Sequence, residues 1–315
     1  MVRLNNDLTR RLTLGAMMIA LYIILLAVTV YVPLIGLVTV YFVPLPIVWY
    51  SAKYSRSSSI YVAVISIIMS ILIGGIGSLP LAFLQVPLGL VLGDAIRRKQ
   101  SKLYMFMATG LTILITIVLE YIAMVKFFNV NIVAEVLAKA REFFNYTLSL
   151  MDQLGQLDKK TEQAAHQMFT LFESSVPAGV ILSAFFLALI YLLLYPPILR
   201  RLGIEVPKFE NFTEMKLPKS VLWYYLLVLL LMLTNPEPGT FLFMVTVNAS
   251  IILRMLLFIQ GIAFIHYVIH EYKWPVWATV IATIVAFPLQ GFVVMLGIFD
   301  LGFNIRSFVS NSTRK

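Results

Sequence analysis

The sequence predicts an all-α polytopic membrane protein, a bundle of eight to nine transmembrane helices. Of its 315 residues, 60% are hydrophobic and only 12% are charged, about half the charged fraction of a soluble domain. The mean hydropathy is +0.91. The apolar residues form long runs instead of alternating with polar ones, which argues against a transmembrane barrel. The chain has no cysteine, so a disulfide-stabilised scaffold is excluded as well.

Nine apolar segments approach or reach the length that a helix needs to cross about 30 Å of hydrocarbon. The predicted spans are residues 12–31, 34–50, 60–77, 79–95, 103–127, 175–199, 221–234, 241–270 and 276–299. They are expected to be helices because lipid cannot satisfy the backbone of an open sheet. The first span is expected to be retained, since it lacks the small-x-small cleavage site of a signal peptide.

The basic residues predict the orientation, because cytoplasmic loops are enriched in Lys and Arg. One set of loops carries Arg3, Arg10, Arg11, Lys53, Arg56, Arg97, Arg98, Lys99, Lys102, Arg200, Arg201, Lys208, Lys216, Lys219 and Lys273. The alternate loops and their borders carry Lys126, Lys139, Arg141, Lys159 and Lys160. The N-terminus is therefore predicted to lie in the cytoplasm. Basic residues scattered among short loops do not indicate a nucleic-acid partner.

The last predicted span is the least regular one. Residues 286–291 read AFPLQG, and a proline at this place predicts a kink or a re-entrant segment. Nine full crossings would place Arg306, Arg314 and Lys315 outside. The sequence therefore favours eight crossings and a cytoplasmic C-terminal tail.

A hydrophilic insert covers residues 128–174 on the predicted outer side. Apolar residues at helical spacing predict one helix from Ile132 to about Met151 and a second from Asp158 to about Phe172. The insert is either a helical hairpin that lies on the membrane or caps the bundle, or a lid or docking surface for an outer ligand or partner.

The predicted segments give five domains. They are residues 1–127 with the first five spans, 128–174 with the outer insert, 175–200 with the sixth span, 201–220 as a cytoplasmic loop, and 221–315 with the C-terminal spans and tail.

Two family resemblances accompany these patterns. Residues 14–21 read LGAMMIAL and resemble the Ala-x-x-x-Ala pattern in the first helix of S components of energy-coupling-factor transporters. The whole chain resembles the uncharacterised bacterial YybS membrane-protein family, and this similarity extends to GIFDLG at residues 297–302 and to Arg306. The S-component resemblance implies an N-terminal half that binds a small solute and docks on a membrane partner. The resemblance to a bacterial membrane-protein family implies the inner membrane of a bacterial cell as the location.

Small residues on the first helix are the candidate docking face. Gly15, Ala16 and Ala20 would let another helix approach closely, and close packing of small residues drives helix association in lipid. The alternative is that these three residues only pack within the chain. The extra segments after residue 201 could also cover this face.

Polar side chains inside the spans are the candidate solute-binding residues, because they are expensive at membrane depth. Glu120 and Arg254 have compatible depths and are predicted to pair, either as a packing ion pair or as the polar floor of a pocket. A further alternative is a proton-coupled carboxyl at Glu120. Four neutral side chains could also line the cavity, or else only form hydrogen bonds between helices: Asn248, Gln85, Gln260 and Gln290.

Catalytic and cofactor motifs are not found in the sequence. His266 and His270 stand one helical turn apart, but no third metal ligand accompanies them. No phosphate-binding loop with a lysine occurs, and no serine has a histidine base at a suitable spacing.

The sequence thus predicts a non-enzymatic, transport-related membrane protein without a cofactor. It would bind a small solute from the outer face and dock a transmembrane partner through its first helix. The alternative is a membrane scaffold for cell-envelope or signalling machinery that binds no solute.

Overall fold

The structure is a computed structural model that describes residues 2–207, 212–303, 305, 306 and 309, with side chains from residue 8 onward. The predicted all-α class is confirmed, because the regular elements of these residues are helices. Thirteen α-helices are described: α1 Val2–Tyr31, α2 Pro33–Thr39, α3 Leu45–Lys53, α4 Arg56–Gly74, α5 Leu79–Arg97, α6 Lys102–Phe128, α7 Ile132–Gln153, α8 Lys159–Ser174, α9 Val176–Arg201, α10 Ser220–Met232, α11 Phe241–Glu271, α12 Val276–Ala286 and α13 Gln290–Phe303. The predicted cytoplasmic tail beyond Arg306 lies almost wholly outside the described residues.

Six helices of the described chain are long and apolar enough to cross a membrane, or seven if α12 and α13 form one span. They are Leu8–Tyr31, Arg56–Gly74, Ile76–Arg97, Lys102–Phe128, Val176–Arg201 and Phe241–Glu271. The predicted eight to nine spans therefore exceed what the structure supports. The difference arises at three of the nine apolar segments.

The predicted span at residues 34–50 is interrupted. The helices α2 and α3 replace it, and a turn at residues 40–44 separates them. Pro44 precedes α3 and Pro46 lies in its first turn, where a proline's missing N–H group does no harm. With seven residues, α2 is about 10 Å long, so it cannot cross the hydrocarbon alone.

Two further apolar segments depart from straight spans. The predicted span at residues 221–234 is the 13-residue helix α10, about 20 Å long. The segment at residues 276–299 forms α12 and α13, which meet at an angle of 112°. The bend lies at residues 287–289 and includes Pro288, which has no N–H group to continue the ladder of α12. The predicted break at this proline, a kink or a re-entrant segment, is thus confirmed.

The chain folds as two compact units. The first comprises Met1–Val136 and Val180–Lys208, and the second comprises Leu137–Gly179 and Phe209–Lys315. In the first unit, α3 packs closely on α5 because Gly89 and Gly93 present no side chain to it. A methyl group at Gly93 would lie 2.5 Å from the Val48 carbonyl oxygen. Around this contact the buried residues include Tyr22, Leu88 and Tyr195.

In the second unit, α11 and α13 cross at two glycines. A methyl group at Gly261 would overlap the Val293 carbonyl oxygen, and one at Gly297 would overlap the Leu257 carbonyl oxygen. Small residues are the usual means by which helices approach closely in lipid. The crossing therefore places backbone against backbone.

The predicted helical insert is confirmed as α7 and α8. The two helices associate through Phe144 and Phe169, whose ring centroids lie 4.7 Å apart, and through two hydrogen bonds of 2.6 and 2.7 Å from Arg141 to Glu173. Asp158 caps α8 by accepting from the Thr161 N–H group at 2.6 Å. Hydrogen bonds from Thr161 hold the pKa of Asp158 below its usual range, because they stabilise the carboxylate.

We predict that Gly297→Ala destabilises the protein by about 1–3 kcal/mol, because the added methyl group forces α13 away from α11. Gly291→Ala is the matched control in the same helix, since nothing lies within 4 Å of a methyl group there. Thermal unfolding of the purified proteins in detergent measures the difference. Equal midpoints for the two variants would show that the crossing tolerates a side chain.

Candidate functional site

Glu120 is the candidate site residue whose side chain is least satisfied. It lies 8 residues before the end of α6, and its Oε1 atom is buried without a hydrogen-bond partner among the described residues. Thr116 lies one turn earlier and Thr109 two turns before that, both buried, so the three share one face of α6. The Thr109 Oγ1 atom has no partner in the described chain either. This face of α6 is therefore an under-bonded polar stripe within the first unit.

Gln85 is buried in α5, and both ends of its amide are in use. Its Nε2 donates to the Val40 carbonyl oxygen at 3.3 Å, and its Oε1 accepts from the Tyr191 hydroxyl at 2.9 Å. The neighbouring carbonyl of Tyr41 accepts from the Tyr195 hydroxyl at 2.9 Å. Gln85 thus helps to satisfy the backbone of the turn between α2 and α3, which no helix ladder satisfies.

Asn248 on α11 bonds to the end of α8 and to the first turn of α9, and these contacts all lie within the second unit. Its Nδ2 donates to the Ser174 carbonyl oxygen at 2.8 Å and to the Met244 carbonyl oxygen at 2.7 Å. Its Oδ1 accepts from the Ala178 N–H group at 2.7 Å. The first N–H groups of α9 have no partner within the helix, so Asn248 on α11 acts as a cap for α9 from another helix.

Arg254 lies on α11 and is exposed. Glu120 belongs to the first unit and Arg254 to the second. The ion pair between them stays a prediction, and so does their shared role in a pocket.

The three small residues of the first helix do not share one environment. Gly15 is buried, and a methyl group there would lie 3.1 Å from the Val62 side chain and 3.4 Å from the Tyr50 hydroxyl. Ala16 and Ala20 are exposed. Gly15 therefore packs within the chain, whereas Ala16 and Ala20 are exposed on α1, and the docking face stays a prediction.

A buried ion-pair network in the second unit was not found from the sequence. The Asp300 carboxylate is completely buried and accepts from Arg306, with the nearest nitrogen–oxygen distance 2.9 Å, and from the Gln260 Nε2 at 2.6 Å. Arg306 also donates to the carbonyl oxygens of Thr213 and Met215, at 2.7 and 2.9 Å. The Gln260 Oε1 accepts from the Leu217 N–H group at 2.9 Å.

The network joins α11, α13 and the segment before α10. Every oxygen and nitrogen that it buries has an opposite charge or a hydrogen-bond partner, which is the condition for a tolerable buried charge. The sequence signal for this network is Asp300, a carboxylate within an apolar helix. Basic residues after the last span predict topology, so the sequence alone does not indicate that Arg306 pairs with Asp300.

The two histidines of α11 have different surroundings. The His266 Nε2 lies 2.7 Å from the Thr283 hydroxyl, and its ring meets Phe212 edge-on at 5.3 Å. His270 is exposed. Among the described residues no group of three His, Asp or Glu side chains is arranged to hold a metal ion.

These features define a multi-spanning, all-helical membrane protein with an amphipathic helical insert. The chain belongs to the family described as "Predicted membrane protein (DUF2232)", whose sequence profile matches residues 20–301. It is 28% identical to the uncharacterized protein YybS of Bacillus subtilis strain 168 over 307 residues, which is 96% of this chain and 99% of that protein. The predicted resemblance to the YybS family is thus confirmed. No solved structure matches the chain, and the S-component resemblance stays a prediction.

We predict that Arg306→Gln destabilises the second unit by about 3–5 kcal/mol, because it leaves the buried Asp300 carboxylate without its counter-charge. Thermal unfolding in detergent is the measurement. The control is Lys99→Gln, which breaks the exposed ion pair of 2.8 Å with Glu205 and is expected to change the midpoint little. A similar small change for Arg306→Gln would contradict a stabilising role of the network.

Proposed function

We propose that this protein is a transport-related membrane protein that binds a small solute from the outer face, with Glu120 as the polar contact. The observation that carries this proposal is the buried Glu120 Oε1 atom, which has no hydrogen-bond partner among the described residues. Carboxyl groups at membrane depth are costly and commonly mark ligand or ion pathways.

The chemistry of the stripe limits the class of solute. A carboxylate and two threonine hydroxyls on one face of α6 suit a ligand that donates hydrogen bonds, such as an amine or a polyhydroxyl compound. An ammonium group at Glu120 would supply the missing charge as well as the missing donor. Glu120 lies about 27 Å along α6 from Lys102, near the helix end that the basic residues assign to the outer face.

A membrane partner is the second part of the proposal. Ala16 and Ala20 are exposed on α1, so a partner helix could approach its backbone there. This corresponds to the docking face that the S-component resemblance implies. We propose that the protein itself catalyses no reaction and that any energy for transport comes from that partner.

The alternative function, a membrane scaffold without a solute, is favoured by a different observation. Gln85 and Asn248 were candidates for a polar pocket, but hydrogen bonds within their own units engage both amides. A scaffold would use such residues only to hold helices together.

We predict that Glu120→Gln lowers the amount of co-purifying solute at least tenfold, because a hydrogen bond to a charged group contributes about 1.5–3 kcal/mol. Mass spectrometry of small molecules released from the purified full chain measures this loss. Glu142→Gln is the control, since Glu142 is an exposed carboxylate of α7. If wild-type protein and Glu120→Gln release the same compounds in the same amounts, the scaffold function is favoured instead.

We predict that a thiol introduced as Gln156→Cys is labelled by a membrane-impermeant maleimide in intact cells. The natural chain has no cysteine, so the introduced thiol is unique, and Gln156 lies between α7 and α8. Ser58→Cys, at the start of α4, is the matched control and is expected to react only after the cells are opened. The reverse pattern would invert the proposed orientation and remove the outer solute site.

A further inference from the structure

The first unit contains a groove between α1 and α3, with a volume of about 680 Å³. Its basic end is formed by Arg10 and Lys53, and its apolar wall includes Met17, Leu21 and Leu45. We call this site the α1–α3 groove. Its volume lies in the range of sites that hold small organic molecules. None of the side chains assigned to the solute site lines it.

The two helices run in opposite directions, and their basic ends meet. The Tyr50 hydroxyl of α3 donates to the Arg11 carbonyl oxygen of α1 at 3.2 Å, and the Arg11 guanidinium lies 6.0 Å from the centre of the Tyr54 ring. Arg10 and Lys53 therefore stand at the same end of the groove. From Arg10 to Leu21 the groove extends about 16 Å along α1.

The groove has a positive charge that its own lining does not neutralise. No acidic residue is among the described residues that line it. The Lys53 Nζ lies 4.6 Å from the centroid of the Trp49 ring. The side chains of Arg10 and Lys53 are both exposed. At the same end of the unit, by contrast, Asp94 forms ion pairs with Arg56, Arg97 and Arg98.

Charge and hydropathy thus change together along the groove. The end with Arg10 and Lys53 suits a phosphate group, and the wall with Met17 and Leu21 suits a hydrocarbon chain. Thr13 supplies a hydroxyl between the two regions. Trp49 has the amphipathic ring that is common at the level of lipid headgroups. This order of groups matches a phospholipid that lies along α1 in the leaflet on the basic side.

We propose that the α1–α3 groove binds one anionic phospholipid, with its phosphate between Arg10 and Lys53 and an acyl chain along Met17, Leu21 and Leu45. Basic pockets between transmembrane helices recognise lipid headgroups by the same chemistry. The lipid fills a groove that would otherwise expose apolar side chains beside two cations. This site is separate from Glu120 and does not depend on the solute-binding proposal.

Native mass spectrometry of the full chain in a neutral detergent tests the site. The probes are dioleoyl phosphatidylglycerol and dioleoyl phosphatidylcholine, and the anionic lipid is expected to bind more tightly. Arg10→Gln and Lys53→Gln should each weaken phosphatidylglycerol binding about fivefold, whereas Lys53→Arg retains the charge and the affinity. Lys219→Gln, a change at an exposed lysine outside the groove, should leave binding unchanged. Equal affinity of wild type, Arg10→Gln and Lys53→Gln would overturn the proposal.

A second pair of measurements separates a lipid from a free anion. Met17→Trp fills the apolar part of the groove and keeps both charges, so it should weaken lipid binding but leave any binding of inorganic phosphate intact. Inorganic phosphate at a concentration equal to that of the lipid should not displace it. If phosphate displaces the lipid, or if Met17→Trp binds it as wild type does, the groove is a site for small anions. The groove would be a protein interface if Arg10→Gln and Lys53→Gln bind the lipid as wild type does but no longer cross-link to another protein. That outcome would also contradict the lipid proposal.

Discussion

Hydrocarbon offers no hydrogen-bond partners, and the whole fold depends on how the chain meets that constraint. A straight helix pairs its own backbone N–H and C=O groups, so other partners are needed only where a helix ends or is interrupted. At the turn after α2, Gln85 donates a hydrogen bond to the Val40 carbonyl oxygen, and Tyr195 donates one to the Tyr41 carbonyl oxygen. At the start of α9, Asn248 reaches across from α11. Gln85 and Asn248, two of the candidate pocket residues, thus form hydrogen bonds that hold helices together.

Asp300 and Glu120 both lie in apolar helices, but they differ in their hydrogen-bond partners. Asp300 is completely buried, but Arg306 neutralises its charge and Gln260 donates a hydrogen bond to it, both from the same unit. Glu120 has an oxygen without any such partner in the described chain. A satisfied group can be explained by stability alone, whereas an unsatisfied one calls for a ligand, a proton or a partner. This contrast is why the proposed solute site rests on Glu120 and not on Asp300.

The fold class, the helical insert and the kink near Pro288 were accessible to sequence reasoning, because each depends on local composition or on one proline. The number of spans was not, since residues 34–50 are apolar enough to cross and only the three-dimensional turn reveals two short helices. The full Asp300 network was not accessible either, because Gln260 lies 40 residues from Asp300 and Thr213 lies 93 residues from Arg306. Likewise, helical periodicity could not tell that Gly15 packs inward while Ala16 and Ala20 face outward.

The glycine crossing of α11 and α13 also determines where the second unit can flex. Side chains that interdigitate can change rotamers and let helices slide, but Gly261 and Gly297 bring main chain against main chain and leave nothing to rearrange. We therefore expect α11 and α13 to move together as one rigid pair. Bending is expected at residues 287–289, where α12 and α13 meet at 112° and the helical ladder is already interrupted, within the range that the hydrogen bond between His266 and Thr283 allows.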